Sequence, residues 1–283
     1  MADRIALVCA SNHPAVLAGN LMRSPDIGAS VTDPHVITGA HCAGAAHNAG
    51  LEATDAEIAV FVHQDVYLPR GWFALLDQRI AEIEERYPDW AVIGAYGVAL
   101  DGAGYGPVWS SSLSSIVGRV ALGPVAVQSV DELLIVVRRA SGLRFDDALP
   151  GFHLHGTDIV ASARAAGLGA YAANLPLIHN DTYKDQLDAS FGHAYRYMRR
   201  KWAEALPLRS PVIKISKTGH QLWRARWHNF TGRAVRQDMA LDTSHDAEAL
   251  ARACGWADLH SCLQDQAAFP VVRERKTSSR SAS

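Results

Sequence analysis

Cysteine is scarce in this sequence. Four cysteines occur among 283 residues, and no two of them stand in a CxxC spacing. A disulfide framework or a structural zinc site is therefore not expected, and we predict a reduced, cytoplasmic protein. Long apolar runs are also missing, since the longest, such as residues 91–100, have about half of the ~20 residues that span a bilayer. The N-terminus lacks the basic region and the apolar core of a signal peptide.

A strong net charge is missing as well. The 27 basic and 29 acidic side chains nearly balance, which disfavours a nucleic-acid-binding protein. No GxGxxG opens the first strand–helix turn, and neither GxxxxGK[ST] nor GxSxG occurs. The sequence therefore gives no support to a dinucleotide-binding, P-loop or serine-hydrolase function.

One segment departs from this balance. Residues 206–236 carry seven Lys/Arg and no acid, together with Trp223, Trp227 and Phe230. We predict a domain of residues 1–205 and an extension of residues 206–283, whose last residues, 276–283, are expected to be frayed. Residues 222–230 could form a lid, contact an anionic acceptor or a membrane surface, or dock on the domain through Arg–Trp packing.

Short apolar runs alternate with helical patterns along the first 205 residues. This alternation predicts an α/β fold with a mixed, mostly parallel sheet flanked by helices. Apolar periodicity and composition predict strands at 5–9, 35–38, 58–62, 91–100, 133–137, 170–173 and 177–179, and helices at 42–53, 73–87, 159–166 and 185–205. The Gly- and Ser-rich residues 101–115 are expected to be a mobile loop that contributes pocket contacts.

In such sheets, ligands bind beyond the carboxyl ends of the strands. The polar side chains found at these places are Ser11, Asn12, His63, Gln64, Asp65, His179, Asn180 and Asp181, and further candidates, His153, His155 and Asp158, precede or begin a predicted helix. A carboxylate such as Asp65, at the end of a buried strand, is well placed to bind Mg²⁺ or Mn²⁺. A simple turn-capping role for Asp65 is the alternative.

Residues 59–72 resemble the DxD region of GT-A glycosyltransferases. The triplet here is His63-Gln64-Asp65, so His63 replaces the first Asp, and Asp65 keeps the position that is usually closest to the metal. Residues 143–170 are similar to the stretch of family 2-type glycosyltransferases that runs from FDE to an acidic helix start and R-x-x-G. That resemblance implies that Asp158 is the catalytic base, with Thr157 where many members have Glu. A helix N-cap is the other role open to Asp158.

The same resemblance implies further site residues. His179 matches an additional metal ligand after a late strand, and residues 45–50 resemble a helix that lines the nucleotide-sugar pocket, with His47 in place of the common Arg. The implied donor contacts are Ser11, Asn12, Asn48, Gln64 and Asp65, and the implied acceptor-side residues are Asp131, Glu132, His153 and His155. His153 and His155 could face one way from an extended segment, whereas Asp131 and Glu132 could equally be turn acids.

Together, the motifs in residues 4–205 resemble a bacterial subgroup similar to the glycosyltransferase domain of streptomycin biosynthesis. The resemblance implies a metal-dependent enzyme that moves a sugar from a nucleotide-diphospho-sugar, UDP-linked in the first instance, to a saccharide or other hydroxyl acceptor with inversion. Mn²⁺ or Mg²⁺ would be the cofactor. The alternatives are a nucleotidyltransferase of related fold and a non-catalytic nucleotide-sugar- or carbohydrate-binding protein. Peripheral contact with the inner membrane face and self-association are left open.

Overall fold

The structure of the protein is a computed structural model that describes residues 4–181, 187–231 and 246–263. Strands and helices alternate along these residues. The helices are α1 (Pro14–Gly19), α2 (Ala43–Glu52), α3 (Trp72–Arg86), α4 (His155–Ala165), α5 (Ala189–Lys201), α6 (His220–Thr231) and α7 (Ala247–Ala253). The strands are β1 (Ile5–Ala10), β2 (His35–Ile37), β3 (Ile58–Val62), β4 (Val66–Tyr67), β5 (Trp90–Gly94), β6 (Gly97–Ala99), β7 (Gly104–Tyr105), β8 (Val108–Ser110), β9 (Ser115–Val117), β10 (Val125–Val130), β11 (Leu134–Arg138), β12 (Gly169–Ala172), β13 (Leu177–His179), β14 (Leu208–Arg209) and β15 (Lys214–Ile215).

A nine-stranded sheet forms the centre, in the order β2-β1-β3-β11-β5-β12-β10-β6-β7. Six of its strands, β1, β2, β3, β5, β6 and β12, run in one direction, and β7, β10 and β11 run against them. The shared direction brings the carboxyl ends of β1 and β3 to one edge, where a ligand site is expected. The predicted α/β class, with a mixed, mostly parallel sheet flanked by helices, is confirmed.

Both faces of the sheet are buried, because alternate residues of each central strand point to opposite faces. On β3, Ile58, Val60 and Val62 face the core that α3 covers, whereas Ala59 and Phe61 face the core that α2 and α4 cover. A strand that is buried on both faces forms a continuous apolar run in the sequence, and these runs allowed the strands to be predicted.

A second, smaller sheet connects the end of β3 to later parts of the chain. Its order is β4-β13-β8-β9, and β13 pairs antiparallel with β4 and parallel with β8. Its strand β4 begins directly after Asp65, and β13 ends at His179. The small sheet thus brings two predicted metal ligands, more than a hundred residues apart in the chain, to the same place.

The residues after 205 pack against the domain at two places. The β14–β15 hairpin and α6 contribute Leu208, Ile215 and Leu222 to a core shared with α5. Residues 246–263 pack on the α3 side, where Trp256 and Leu259 are fully enclosed. These contacts match a docked extension; the predicted boundary near residue 205 stays a prediction, and the tail at 276–283 lies outside the described residues.

Four predicted elements need correction. The predicted strand at 91–100 is two strands, β5 and β6, which occupy separate positions in the sheet, with Gly94 and Gly97 flanking the bend between them. The predicted loop at 101–115 contains β7 and β8. The helix predicted at 159–166 begins at His155, and the one predicted at 185–205 is α5 followed by a short 3-10 turn, with residues 182–186 outside the described part.

Among the described residues, no helix combines the length and the apolarity that crossing a membrane would require.

The docking of residues 246–263 can be tested with Trp256. Its side chain is 2% exposed, so Trp256→Ala should lower the free energy of unfolding by about 3–5 kcal/mol, as truncation of a buried aromatic residue does. Trp223→Ala removes the same group from a side chain that is 71% exposed and should change stability by about 0.5 kcal/mol or less. Urea unfolding measures both. Equal effects of the two substitutions would contradict the packing described here.

Candidate functional site

A cavity of about 380 Å³ opens at the carboxyl ends of β1 and β3. Residues from five segments line it: Ala10, Ser11, Asn12 and His13 at and after the end of β1, Ile37 and Ala40 at and after the end of β2, His47 on α2, Val62, His63, Gln64 and Asp65 at and after the end of β3, and Phe152 and His155 before and at the start of α4. The cavity therefore lies where the strand directions predict a ligand site.

His63, Asp65 and His179 form one cluster beside this cavity. One ligand atom from each lies within 4.8 Å of the others, and they are the one such group of His, Cys, Asp or Glu found in the described residues. The Nε2 atom of His179 lies 3.4 Å from Asp65 Oδ1, and His63 Nδ1 lies 3.9 Å from the same oxygen. The two residues predicted as metal ligands, Asp65 and His179, are thus brought together with His63.

The electrostatics of this cluster are those of a buried ion pair. Burial acts to raise the pKa of Asp65, but His179, His63 and the local backbone together outweigh burial and lower the pKa below its usual range. Burial acts to lower the pKa of His179, but Asp65, Asp181 and Asp131 together outweigh burial and raise the pKa to about 9. A divalent cation that binds here has to displace the His179 proton, as metal binding to imidazole generally does.

The backbone fixes the cluster from several sides. Asn180 donates its backbone N–H to the carbonyl of Asp65 at 2.8 Å, and β13 places His179 opposite Val66. Behind His179, Asp181 Oδ1 lies 3.8 Å from the second ring nitrogen, Nδ1. Asp181 is itself fixed, because Ser110 Oγ and the Ser112 N–H donate to Oδ1 at 3.1 Å. A carboxylate behind a metal-bound imidazole is the usual orienting partner.

The chemistry of these donors fits a divalent transition-metal ion. Asp65 Oδ1 is buried and accepts no hydrogen bond within the described residues, which leaves a carboxylate oxygen available to a cation. Two imidazoles and one carboxylate form a mixed nitrogen and oxygen set, whereas Mg²⁺ strongly prefers oxygen ligands. Of the two predicted ions, this set fits Mn²⁺ better.

Four of the five predicted donor contacts, Ser11, Asn12, Gln64 and Asp65, line the cavity, and Asn48 does not. Ser11 Oγ donates to Gln64 Oε1 at 2.5 Å, and Asn12 Oδ1 accepts from the Gly39 N–H at 3.1 Å. Asn48, in contrast, binds the backbone of Phe145 with both ends of its amide, at 2.8 and 3.0 Å. Asn48 therefore joins α2 to the segment before α4, and the prediction that it contacts the donor is not supported.

Asp158 does not line the cavity either. Its side chain is 2% exposed, and its two carboxylate oxygens accept hydrogen bonds from Lys201 Nζ at 2.8 Å and from Trp202 Nε1 at 2.7 Å. Burial raises its pKa, although Lys201 acts against this shift. Asp158 thus attaches the end of α5 to α4, and its location gives no support to the prediction that it deprotonates an acceptor. The sequence showed the helix start but not that Lys201 and Trp202 would occupy its oxygens.

His153 and His155 do not face one way. Leu154 between them has φ of 67°, a left-handed backbone conformation, and α4 begins at the next residue. The His155 ring is consequently turned into the interior against His47 at a centroid distance of 5.0 Å. His153 is half-buried, contacts Phe191 and does not line the cavity. The extended segment predicted here is replaced by a helix start.

Glu132 lies at the same sheet edge as the cluster. It precedes Leu133, whose carbonyl accepts the His63 N–H at 3.0 Å. The backbone N–H groups of Leu154 and Gly156 act to lower the pKa of its carboxyl group. Burial, together with neighbouring Asp131, still raises its pKa to about 8, although 22% of the side chain is exposed.

The contacts of Asp131 are those of a turn residue, the second of the two roles that the sequence left open for it. Its Oδ1 accepts the Leu133 N–H at 3.1 Å, and its own N–H donates to the carbonyl of Tyr96. The side chain therefore shapes the turn between β10 and β11, directly before Glu132.

Comparisons with known proteins give the following matches. No protein-family model matches the chain. The chain is 26% identical over 165 residues to a protein of Fuscovulum blasticum named ATP synthase subunits region ORF 6, a match that covers 57% of this chain and 66% of that protein. The matched part thus spans just under two thirds of this curated relative.

Several solved structures are similar to the chain at low identity. They include mannosyltransferase PcManGT from Pyrobaculum calidifontis in complex with GDP-Man and Mn²⁺, with TM-score 0.46, 10% identity and coverage of 88% of this chain and 75% of that one. Glucosyl-3-phosphoglycerate synthase from Mycobacterium tuberculosis, in complex with Mg²⁺ and UDP, has TM-score 0.43, 11% identity and coverage of 75% and 82%. GalNAc-T7 with UDP, GalNAc and Mn²⁺ has TM-score 0.43, 11% identity and coverage of 72% and 51%.

Metal binding at the cluster can be measured directly. Titration with Mn²⁺, followed by electron paramagnetic resonance, should show one site that His179→Ala removes. Asp181→Asn should weaken it by about 10–100-fold, because loss of an orienting carboxylate typically has that effect. The control is His193→Ala, a change in an exposed histidine on α5, which should leave the affinity unchanged. Undiminished Mn²⁺ binding by His179→Ala would show that the ion binds elsewhere.

Proposed function

We propose that this protein is a metal-dependent glycosyltransferase of the GT-A type, related to family 2, that moves a sugar from a nucleotide-diphospho-sugar to an acceptor hydroxyl. The observation that carries the proposal is the His63–Asp65–His179 cluster at the rim of a cavity, at the carboxyl ends of parallel strands. Membership of the subgroup similar to the streptomycin-biosynthesis domain stays a prediction.

The cavity supports a division of the donor between its two sides. Ser11, Asn12 and Gln64 present hydroxyl and amide groups after β1 and β3, as contacts to the base and ribose would require, with UDP as the first candidate. The diphosphate would lie beside Asp65 and His179. A Mn²⁺ ion bound there supplies electrostatic stabilisation for a leaving diphosphate.

For the acceptor, the location of Glu132 supports a role as general base. Its side chain does not line the cavity but is 22% exposed at the edge that carries the metal cluster, and Oε1 lies 4.0 Å from Nδ1 of His155 in the cavity wall. A pKa of about 8 suits proton transfer near neutral pH. In this proposal Glu132 accepts the proton of the acceptor hydroxyl, and the hydroxyl oxygen attacks the anomeric carbon opposite the diphosphate. Inversion would follow from that single displacement.

A second candidate is a nucleotide-sugar-binding protein without transfer activity. The location of Asp158, bound to Lys201 and Trp202, favours it, because the carboxylate that the sequence resemblance made the base has no access to an acceptor. His63 and Thr157 also favour this candidate, because they stand where the glycosyltransferases that the sequence resembles have acidic residues.

The exposed aromatic side chains of α6 support contact with a membrane surface. Trp223 and Trp227 stack at a centroid distance of 6.2 Å, and Phe230 is exposed beside Arg-bearing turns of the same helix. Apolar rings next to basic side chains suit a lipid–water interface. A lid role has no such support, since none of the described α6 residues lines the cavity.

Catalysis is tested by incubating the protein with UDP- and GDP-linked hexoses, with and without Mn²⁺, and measuring the release of free nucleoside diphosphate. We expect release that requires Mn²⁺ and that falls by a factor of about 10² or more in Asp65→Asn, because the leaving diphosphate loses its electrostatic stabilisation. Asp55→Asn, the same change in a fully exposed aspartate, serves as the control. Binding of a donor without release, across acceptors, would favour the second candidate.

The two candidate bases can be separated by matched amide substitutions. Glu132→Gln should lower kcat by about 10²–10⁴-fold with the donor Kd unchanged. The wild-type rate should rise as pH increases towards about 8, since the base acts deprotonated. Asp158→Asn should instead lower the free energy of unfolding by about 1–3 kcal/mol, through the weakened bond to Lys201. Loss of transfer by a fully stable Asp158→Asn protein would return the role of base to Asp158.

A further inference from the structure

Two buried histidines form the inner wall of the cavity. His47 lies on α2 and His155 begins α4, and the two rings lie 5.0 Å apart in an edge-to-face arrangement. Their residues are 5% and 3% exposed, and both line the cavity. Phe61 and Phe145 enclose the His47 ring from behind, each at a centroid distance of 4.7 Å.

None of the four ring nitrogens of this pair has a hydrogen-bond partner within the described residues. Leaving a buried polar atom without a partner costs about 1–3 kcal/mol, and native proteins leave few such atoms. Four of them side by side, in the wall of a cavity, require an explanation. A ligand that enters the cavity would provide the missing partners.

The two rings carry no charge at neutral pH. Burial, with a smaller contribution from the charge of His63, lowers the pKa of His47 to about 3. Burial also holds the pKa of His155 well below its usual range, and neighbouring histidines add to this effect. A neutral imidazole has one N–H donor and one nitrogen acceptor. The pair therefore offers two donors and two acceptors without a positive charge.

This donor and acceptor pattern discriminates between the parts of a nucleotide sugar. Phosphate oxygens only accept hydrogen bonds, carry negative charge and are best bound by cations, so a neutral pair with two acceptors suits them poorly. A hydroxyl group both donates and accepts. Vicinal hydroxyls of a sugar match the pair.

The pair also lies at the right place for a sugar. Phe61 contacts His47, and His63, two residues further along the chain, belongs to the metal cluster. On the other side of His63, the His179 ring lies 5.9 Å away. A group bound at the histidine pair is therefore next to a group bound at the metal cluster, as the sugar and the diphosphate are in the donor.

We propose that His47 and His155 bind hydroxyl groups of the donor's sugar and thereby select a sugar-bearing nucleotide over the bare diphosphate. This inference rests on the proposed function. It assigns the pair to sugar recognition, whereas the metal cluster binds the diphosphate.

The test compares two ligands on the same protein. Isothermal titration in the presence of Mn²⁺ gives the Kd of UDP and GDP and of UDP-glucose, UDP-galactose and GDP-mannose. In the wild-type protein at least one sugar nucleotide should bind more tightly than its bare nucleotide. His47→Leu and His155→Leu should reduce that ratio of Kd values by about fivefold for each lost hydrogen bond, with the Kd of the bare nucleotide unchanged.

Three further measurements complete the test. The melting temperature of each ligand-free leucine variant should equal or exceed that of the wild type, because unpaired buried nitrogens are removed. His47→Asn keeps a donor and an acceptor and should restore part of the ratio, and His193→Leu, in an exposed histidine of α5, should leave it intact.

The outcomes distinguish the two proposals. Unchanged ratios in both leucine variants, or a wild-type protein that binds UDP or GDP with no gain from any attached hexose, would overturn the assignment of the pair. If the wild-type protein binds neither the nucleotides nor the sugar nucleotides, the proposed function itself fails. If the leucine variants lose UDP binding as strongly as sugar-nucleotide binding, the pair acts on the nucleotide or the diphosphate, and the assignment to the sugar is wrong.

Discussion

The pairing of β13 with β4 is the constraint on which the candidate site depends. Strand β4 starts at the residue after Asp65, and the ladder places His179 opposite Val66, so a carboxylate and an imidazole meet at 3.4 Å although 114 residues separate them. Such a buried pair is costly to desolvate and is stable only with further fixed partners. The Asn180–Asp65 backbone bond and the serine-bound Asp181 provide them. The small sheet thus positions the candidate metal ligands, and the large sheet positions the residues that line the cavity.

A second constraint acts at the start of α4. A Cβ atom on Gly156 would lie 2.5 Å from the carbonyl oxygen of Val130, so the helix can approach β10 this closely only with glycine there. The close approach brings the start of the helix next to Glu132, whose Cγ lies 3.3 Å from the same Cβ position, and the left-handed Leu154 turns His155 inwards. Strained backbone and unpaired polar groups concentrate at this point, as they do at functional sites elsewhere.

The sequence predicted the parts of the site that depend on strand ends. Asp65 and His179 follow continuous apolar runs, and such runs reveal both the strand and the edge of the sheet at which it ends. The sequence did not show the partners of Asp158. Its carboxylate is bound by Lys201 and Trp202 at the end of α5, and no local pattern predicts which surfaces of two helices will meet. The inward turn of His155 was not predicted, because no sequence pattern indicates a leucine in the left-handed conformation. The break between β5 and β6 was not predicted either, because both strands are buried and together form one apolar run in the sequence.

The cavity has a charged end and a neutral end, and this difference follows from the groups that surround each end, since both ends are buried. Around Asp65, opposite charges and fixed dipoles outweigh the cost of burial, so the pKa of its carboxyl falls and that of His179 rises. At His47 and His155 no described carboxylate pairs closely enough with either ring to outweigh burial, and both pKa values fall. His179 beside Asp65 and the His47–His155 pair therefore present opposite properties to a ligand. An ion-bound diphosphate joined to an uncharged polyol has the same division of charge along its length, which is why one ligand with both parts accounts for this site better than a simple anion or a free sugar.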